Sequence, residues 1–118
     1  MRYLALIHTD ERAWEARSEE ERAEIYGRYR AFGEEARSAG KFVEGWQLQP
    51  TPTATTVRVR NGETMVTDGP FAELREQIGG YYVLDCADLD EAVSLVARIP
   101  AAEHGAIEVR PGVAEDES

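Results

Sequence analysis

The sequence predicts an α+β fold, and three observations lead to that prediction. Short apolar runs of strand length alternate with amphipathic helical segments in the order β-α-β, and this order occurs twice. An Asn-Gly dipeptide between the two halves joins a further pair of strand-like runs. The 118 residues suffice for one domain and are too few for two of ordinary size. Together these features predict a ferredoxin-like sandwich with an inserted β-hairpin.

The first part of the chain is predicted to contain a strand, a loop and a long helix. Residues 3–7 form an apolar run that predicts a buried strand, and the mostly polar residues 9–17 predict a loop or a short turn. Ser18 and Glu21 form a capping box, so a helix is expected to start there. Apolar residues then recur at helical spacing until Gly40, where the helix is expected to end.

The middle of the chain is predicted to contain a strand, a hairpin and a short helix. Residues 42–48 form the strand, and residues 54–60 and 63–67 are expected to pair around Asn61-Gly62. Both central residues of a type I′ turn need a positive φ, which this dipeptide tolerates. A short helix is expected over residues 70–77, because its first residue is a proline and proline is favoured at that position.

The last part of the chain repeats the order strand, helix, strand. Gly79-Gly80 is expected to end the short helix, and residues 81–84 form an apolar strand. A second capped helix is expected to begin after Asp88 and to stop before Pro100. Residues 106–109 form the last predicted strand.

The predicted elements lie within residues 1–111, which form the domain, and residues 112–118 form an acidic C-terminal tail that is expected to fray. A ferredoxin-like sheet carries helices on one face only, so its other face needs a cover. A second copy of the chain can supply that cover. We therefore expect a homodimer in which the two sheets pack face to face, as in a dimeric α+β barrel.

Composition excludes several classes of partner. The formal net charge is −10, from 23 acidic and 13 basic residues, and no cluster of Lys and Arg is present, so nucleic acids and anionic membranes would be repelled. No apolar stretch approaches the roughly 20 residues that span a bilayer, and no secretory signal pattern is visible. The single cysteine, Cys86, fits a reducing compartment. These features predict a cytoplasmic protein.

Most motifs that carry chemistry are missing from the sequence. It contains no nucleophile elbow, no P-loop and no dinucleotide-binding fingerprint. His8 and His104 are the two histidines, and neither belongs to a cluster with metal-ligand spacing. Cys86 follows Asp85, whose negative charge disfavours a reactive thiolate. We therefore expect neither a metal nor a cofactor.

Three positions are candidates for acid–base chemistry or ligand binding. Asp68 ends a hairpin strand before a Gly-Pro pair, where it serves either as a turn or helix cap or as a base at the rim of the sheet. His8 lies at the end of the first strand and is either a satisfied structural residue or a catalytic partner of Asp68. Tyr29 is expected on the helix face that looks onto the sheet. The predicted ligand-binding residues are Tyr29, Gly69, Pro70 and Phe71.

Several segments are shared with one known family. Residues 67–73 read Thr-Asp-Gly-Pro-Phe-Ala-Glu, and residues 76–82 read Glu-Gln-Ile-Gly-Gly-Tyr-Tyr. Further matching segments are residues 3–7, 54–58, 87–92 and 106–111. The combination resembles the DGPF-domain branch of the YCII-related proteins and covers residues 1–111.

This resemblance implies a ferredoxin-like subunit of a dimeric α+β barrel. Some relatives in the DGPF branch occur with, or are fused to, extracytoplasmic-function sigma factors. In the wider YCII group a His–Asp pair is proposed to be catalytic, and one member eliminates chloride from a chlorinated hydroxyquinol. The family histidine lies early in the first helix, whereas residues 23–32 of this chain contain no histidine and carry Tyr26 and Tyr29 instead.

Two functions from different classes follow from these observations. The first is a small-molecule-binding homodimer, either non-catalytic or a lyase or isomerase that uses Asp68 as acid/base with His8 or Tyr29 as its partner. The alternative is a non-catalytic interaction module associated with a sigma-factor-type transcription regulator, whose basic surface would meet the acidic surface of this chain.

Overall fold

The computed structural model describes residues 1–114, so residues 115–118 of the predicted acidic tail lie outside the described part of the chain. The strands are β1 Arg2–Thr9, β2 Phe42–Gln47, β3 Thr55–Arg60, β4 Glu63–Asp68, β5 Gln77–Asp85 and β6 Ala106–Pro111. The α-helices are α1 Glu11–Glu15, α2 Glu19–Ser38 and α3 Leu89–Val96, and two 3-10 turns cover Thr51–Thr53 and Pro100–Glu103.

Four strands form one antiparallel sheet in the order β2-β5-β1-β6. Strand β1 therefore lies inside the sheet, between β5 and β6. Helix α2 connects β1 to β2, and helix α3 connects β5 to β6. This order and these crossovers are consistent with the predicted ferredoxin-like α+β fold.

Helix α2 begins as the sequence predicts. The hydroxyl of Ser18 accepts a hydrogen bond from the N–H of Glu21 at 3.1 Å, and the carboxylate of Glu21 accepts one from the N–H of Ser18 at 3.3 Å. This capping box satisfies two backbone donors that the helix itself cannot satisfy. Further along the helix, Phe32 and Ala36 are buried and pack into the core. The core thus lies between α2, α3 and one face of the sheet.

The strand β1 shows that the other face of the sheet is uncovered. Tyr3, Ala5 and Ile7 are buried against the helices, whereas the alternating Leu4 and Leu6 stay partly exposed. Successive side chains of a strand point to opposite faces. The molecule measures 47 × 47 × 18 Å along its principal axes. The shortest of these dimensions fits one sheet and one layer of helices.

The hairpin predicted at Asn61-Gly62 is present as a separate two-stranded sheet of β3 and β4. Asn61 and Gly62 have φ values of 52° and 79°, as a type I′ turn requires. One face of the hairpin carries Val57, Val59 and Val66, which are 58–65% exposed. The hairpin therefore presents an apolar face to solvent.

Two local predictions are wrong. Residues 70–76 form no helix, and Gly79 and Gly80 lie inside β5, because the backbone there pairs with both β1 and β2. Conversely, the loop predicted over residues 9–17 contains helix α1, for which Asp10 supplies the N-cap by accepting from the N–H groups of Arg12 and Ala13. Strand pairing at Gly79-Gly80 and the side-chain cap at Asp10 thus override the local composition.

Candidate functional site

A cavity of about 730 Å³ lies between helices α1 and α2 and one end of the four-stranded sheet. The end is the one at which β1 and β2 finish and β5 and β6 begin. The cavity walls come from the end of β1, helices α1 and α2, the end of β2 with the segment after it, the start of β5, and the turn before β6. A volume of this size accommodates a small organic molecule.

Aromatic side chains form much of the wall on the helix side. The ring of Trp14 lies edge-on to that of Tyr26, with centroids 5.3 Å apart. The hydroxyl of Tyr26 accepts a hydrogen bond from Nε2 of Gln47 at 3.0 Å, which links α2 to the end of β2. Tyr29 of α2 also belongs to this wall, and Tyr82 of β5 lines the cavity from the sheet side. Flat apolar rings with polar edges suit a planar ligand.

Tyr29 lies one turn before the buried Phe32 on the face of α2 that meets the sheet, and it is partly buried against the core. Burial raises the pKa of Tyr29 to about 12, and neighbouring Tyr82 adds to this rise, while the backbone of Ala101 and the charge of Arg28 oppose it. The phenol therefore keeps its proton at neutral pH. Tyr29 offers the cavity a hydrogen-bond donor and no negative charge.

His104 reaches the same cavity from the turn before β6. Burial lowers the pKa of His104, and the charges of Arg17 and Arg28 lower it further, whereas Glu103 raises it. Glu103 itself is held by Arg28, with 3.2 Å between Nη1 and Oε2. The imidazole is therefore biased towards its neutral form, in which one ring nitrogen can accept a proton or a hydrogen bond.

The charged side chains at the cavity are unequally engaged. The carboxylate of Glu11 accepts from the N–H and the hydroxyl of Thr51 at 2.9 and 3.0 Å. Asp10 caps α1. Arg17, by contrast, is 3.9 Å from the carboxylate of Glu21, which is beyond hydrogen-bonding distance. Within the described part of the chain, the guanidinium of Arg17 is thus a cation at the cavity wall without a short bond to a carboxylate.

The predicted site residues do not come together in one chain. Tyr29 lines the cavity, but Asp68 is exposed at the last position of β4, opposite Thr55. Gly69 follows with φ 97° and donates its N–H to the carbonyl of Ala54 at 2.8 Å. The last two predicted ligand-binding residues, Pro70 and Phe71, are exposed in the segment after β4, where the Phe71 ring packs under the guanidinium of Arg58.

His8 faces away from the cavity. It follows Ile7, which lines the cavity, so its side chain projects from the opposite face of the sheet. There, Nε2 of His8 lies 3.3 Å from a carboxylate oxygen of Glu108. Within residues 1–114 this buried nitrogen has no partner in hydrogen-bonding geometry. His8 and Tyr29 therefore lie on opposite faces of the sheet.

Reasoning from the sequence did not assign Trp14, Arg17 or His104 to the site, although all of them line the cavity. Trp14 is a large apolar residue in an otherwise polar segment, which is a signal that it packs against something. Arg17 and His104 are 87 positions apart in the sequence, and no local pattern connects them. Their proximity depends on β6 lying beside β1 in the sheet.

The described residues contain neither a metal-ligand cluster nor a membrane-spanning helix. Within residues 1–114, no three His, Cys, Asp or Glu side chains are grouped so as to hold a metal ion. The same residues contain no helix with the length and apolar character needed to cross a membrane.

The fold and the cavity together define a class: a small α+β protein with a ligand-sized cavity at one end of an antiparallel sheet. Comparison with known proteins specifies the family. Residues 1–114 match the YCII-related domain, and the chain belongs to that family. An uncharacterized protein of Rhizobium meliloti (strain 1021) is 41% identical over 113 residues, covering 94% of this chain and 91% of the relative.

Proposed function

We propose that this chain is a small-molecule-binding protein of the DGPF branch of the YCII-related family and that it acts as a homodimer. The observation that carries the binding function is the cavity of about 730 Å³ lined by Trp14, Tyr26, Tyr29 and His104. It has the size of known ligand sites, and it combines apolar walls with a few polar groups. The assignment to the DGPF branch rests on residues 67–73 and 76–82.

The homodimer is supported by the uncovered face of the sheet. Leu4 and Leu6 of the central strand are only partly buried there, and Trp46 of the edge strand is 73% exposed. Apolar side chains in the middle of a sheet are normally covered. Packing two such faces together by a twofold axis would bury both at once.

An acid–base reaction is a further part of the proposal. A neutral His104 and a protonated Tyr29 would supply an acceptor and a donor, which suffice for proton transfer beside a carbonyl or phenol. Asp68 remains the predicted acid/base of the family motif, with His8 as its predicted partner. Because Asp68 does not line the cavity of its own chain, it would act on a bound ligand from a second copy.

A thermal-shift screen tests the binding function. Carboxylic acids, phenols and ketones are screened against wild type, Ala13→Trp and Ala16→Trp. Ala13 lines the cavity and Ala16 does not, so only the first indole should fill it. A ligand at 100 times its Kd should stabilise the wild type by about 2.7 kcal/mol. Loss of that shift in Ala13→Trp alone supports the cavity as the site.

The same screen separates the proposed roles of Asp68. If Asp68→Asn keeps its fold and loses the ligand, the aspartate completes the binding site. If it binds the ligand as wild type does, Asp68 is no part of the binding site, while the binding proposal stands. A screen in which no compound of any class shifts wild type contradicts the binding proposal itself.

The homodimer is tested by sedimentation of Leu6→Glu and Val93→Glu. Leu6 lies on the open sheet face, whereas Val93 is 50% exposed on helix α3 at the other side of the molecule. A buried glutamate without a partner is strongly unfavourable. We expect Leu6→Glu to sediment as a monomer and Val93→Glu as a dimer. A monomeric wild type contradicts the proposal.

The exposed hairpin favours the second candidate function, a protein-interaction module for a sigma-factor-type regulator. Val57, Val59 and Val66 form an apolar face, and Phe71 beside it is 79% exposed. Apolar patches of this kind are common at protein interfaces. If Val57→Thr with Val66→Thr leaves the mass of the wild-type assembly unchanged, the hairpin is free for another partner. If the double variant dissociates it, the hairpin belongs to the dimer contact.

A further inference from the structure

Arg17 and His104 approach the cavity from two elements that are far apart in the sequence. Arg17 lies in the turn between α1 and α2, and His104 ends the 3-10 turn before β6. Both line the same cavity, together with the aromatic wall of Trp14, Tyr26 and Tyr29. A cationic group and an imidazole are thus placed at the wall of a cavity whose rings suit a planar molecule.

The guanidinium of Arg17 is well placed to bind an anion. Its side chain is 26% exposed, and its contact with Glu21 is 3.9 Å long. Glu21 already accepts the N–H of Ser18 in the capping box. Among residues 1–114 the Arg17 N–H groups have no short partner, and such a partly buried guanidinium favours a carboxylate, because the planar fork matches the two carboxylate oxygens.

We propose that the ligand of this cavity is a planar aromatic carboxylate, whose anionic group is bound by Arg17 and His104 and whose ring lies against Trp14, Tyr26 and Tyr29. The inference rests on the proposed small-molecule-binding function and specifies its ligand class. No bond is made or broken in this step. The carboxylate accepts hydrogen bonds from the guanidinium of Arg17 and from the imidazole of His104. The Tyr29 phenol donates a hydrogen bond to a polar substituent of the ring where the ligand carries one.

Acidic residues at the cavity limit where the anion can sit. Asp10, Glu11 and Glu15 also line the cavity. Asp10 is held by the first turn of α1 and Glu11 by Thr51, so both stay on the α1 side. Glu15 is exposed. The carboxylate is therefore placed at the Arg17 and His104 side of the cavity.

The groups that face His104 also predict how binding depends on pH. Arg17, in the turn before α2, and Arg28, in α2 itself, oppose a positive charge on the imidazole. Glu103 favours that charge. A bound carboxylate adds a negative charge beside the ring and favours the protonated form. Binding should therefore take up a proton, and affinity should rise as the pH falls, with the rise continuing below the ordinary imidazole pKa of about 6.5 because the free imidazole titrates below that value.

The experiment uses matched probes that differ in charge alone. 2-Naphthoate and 2-naphthamide have the same ring system, and one carries a carboxylate while the other carries a neutral amide. Titration calorimetry is run on wild type, Arg17→Gln and Arg12→Gln at pH 7. Arg12 lies on α1 and does not line the cavity, so Arg12→Gln removes the same charge without touching the site.

We expect naphthoate to bind wild type at least about tenfold more tightly than naphthamide, the effect of one charge-assisted hydrogen bond. Arg17→Gln should remove that difference, whereas Arg12→Gln should leave affinity within about twofold. His104→Gln should remove the proton uptake, which is measured by repeating the titration in buffers of different ionisation enthalpy.

The outcomes separate this inference from the function on which it rests. If the amide binds as tightly as the carboxylate, or if Arg17→Gln weakens both probes equally, the carboxylate assignment is wrong while small-molecule binding stands. If neutral compounds of the wider screen bind and no carboxylate does, the assignment also fails. If no compound binds at all, the proposed function fails and the assignment fails with it.

Discussion

The close approach of Gly105 to the central strand gives a sharp test of the described packing. Gly105 precedes β6 and donates its N–H to the carbonyl of Ala101 at 2.7 Å. A Cβ atom at this position would lie 2.1 Å from the carbonyl oxygen of His8 and 3.3 Å from that of Ala101. Both obstacles are backbone atoms, so neither can move aside by changing a rotamer.

Gly105→Ala should therefore lower the free energy of unfolding. The backbone must shift by roughly 1 Å to restore an ordinary contact distance, and overpacking of this kind costs about 1–3 kcal/mol. The substitution also restricts the unfolded chain, which offsets about 0.4–1 kcal/mol. A net loss of about 1–2 kcal/mol is expected. Because His104 is the adjacent residue, the shift should also weaken any ligand that His104 contacts.

Gly27→Ala is the matched control, and it should have the opposite sign. Gly27 lies inside helix α2, and an added Cβ would meet only the end of the Arg30 side chain, at 3.7 Å. Replacing a glycine within a helix by alanine stabilises by about 0.5–1 kcal/mol. Urea denaturation followed by tryptophan fluorescence measures both variants, with the slope of the transition expected to stay constant.

One result would refute the reasoning. If Gly105→Ala unfolds at the same or a higher urea concentration than wild type, the carbonyl of His8 does not lie where the structure places it. In that case the position of His104 beside the cavity would also be in doubt. A destabilised Gly27→Ala would instead point to a local error in α2.

Three further predictions concern the core and the titrating groups. The pKa of His104 should lie below its ordinary value of about 6.5 in an NMR titration, and Arg17→Gln should raise it. The unfolded chain then binds a proton at higher pH than the folded chain does. The free energy of unfolding should therefore fall as the pH drops through about 6.5. Phe32→Ala should cost about 3–5 kcal/mol in urea denaturation, since Phe32 is 4% exposed and packs against the ring of Tyr82. Cys86 is buried and its pKa is raised by that burial, so its thiol should react with a disulfide reagent much faster in urea than in the native protein.

Local sequence signals predicted the parts of the fold that local chemistry controls. The capping box at Ser18, the stop at Gly40 and the turn at Asn61-Gly62 each depend on a few neighbouring residues, and all are present. The same reasoning failed for residues 70–77. A proline permits a helix to start, but Phe71 stays exposed and buries nothing there, so no packing energy supports the helix.

The residues of the candidate site were harder to predict from the sequence than the helices and turns, because their arrangement depends on the tertiary structure. Alternation along β1 places Ile7 at the cavity and His8 on the opposite face of the sheet. The position of His8 at the end of a strand does not by itself show which face its side chain occupies. Tyr29 could be assigned to the sheet-facing side of α2 because helical periodicity fixes that face. The position of Asp68 relative to a ligand depends on a hairpin that packs outside the cavity of its own chain.

The sequence alone thus determined the family, the α+β class and the elements whose ends are set by caps and turns. It could do so because those features arise from short-range sterics and hydrogen bonds. Only the tertiary structure decided that Arg17 and His104 share one cavity, since antiparallel pairing of β1 with β6 brings together residues that are remote in the chain. A binding site is a property of that pairing, and no single segment of the sequence contains it.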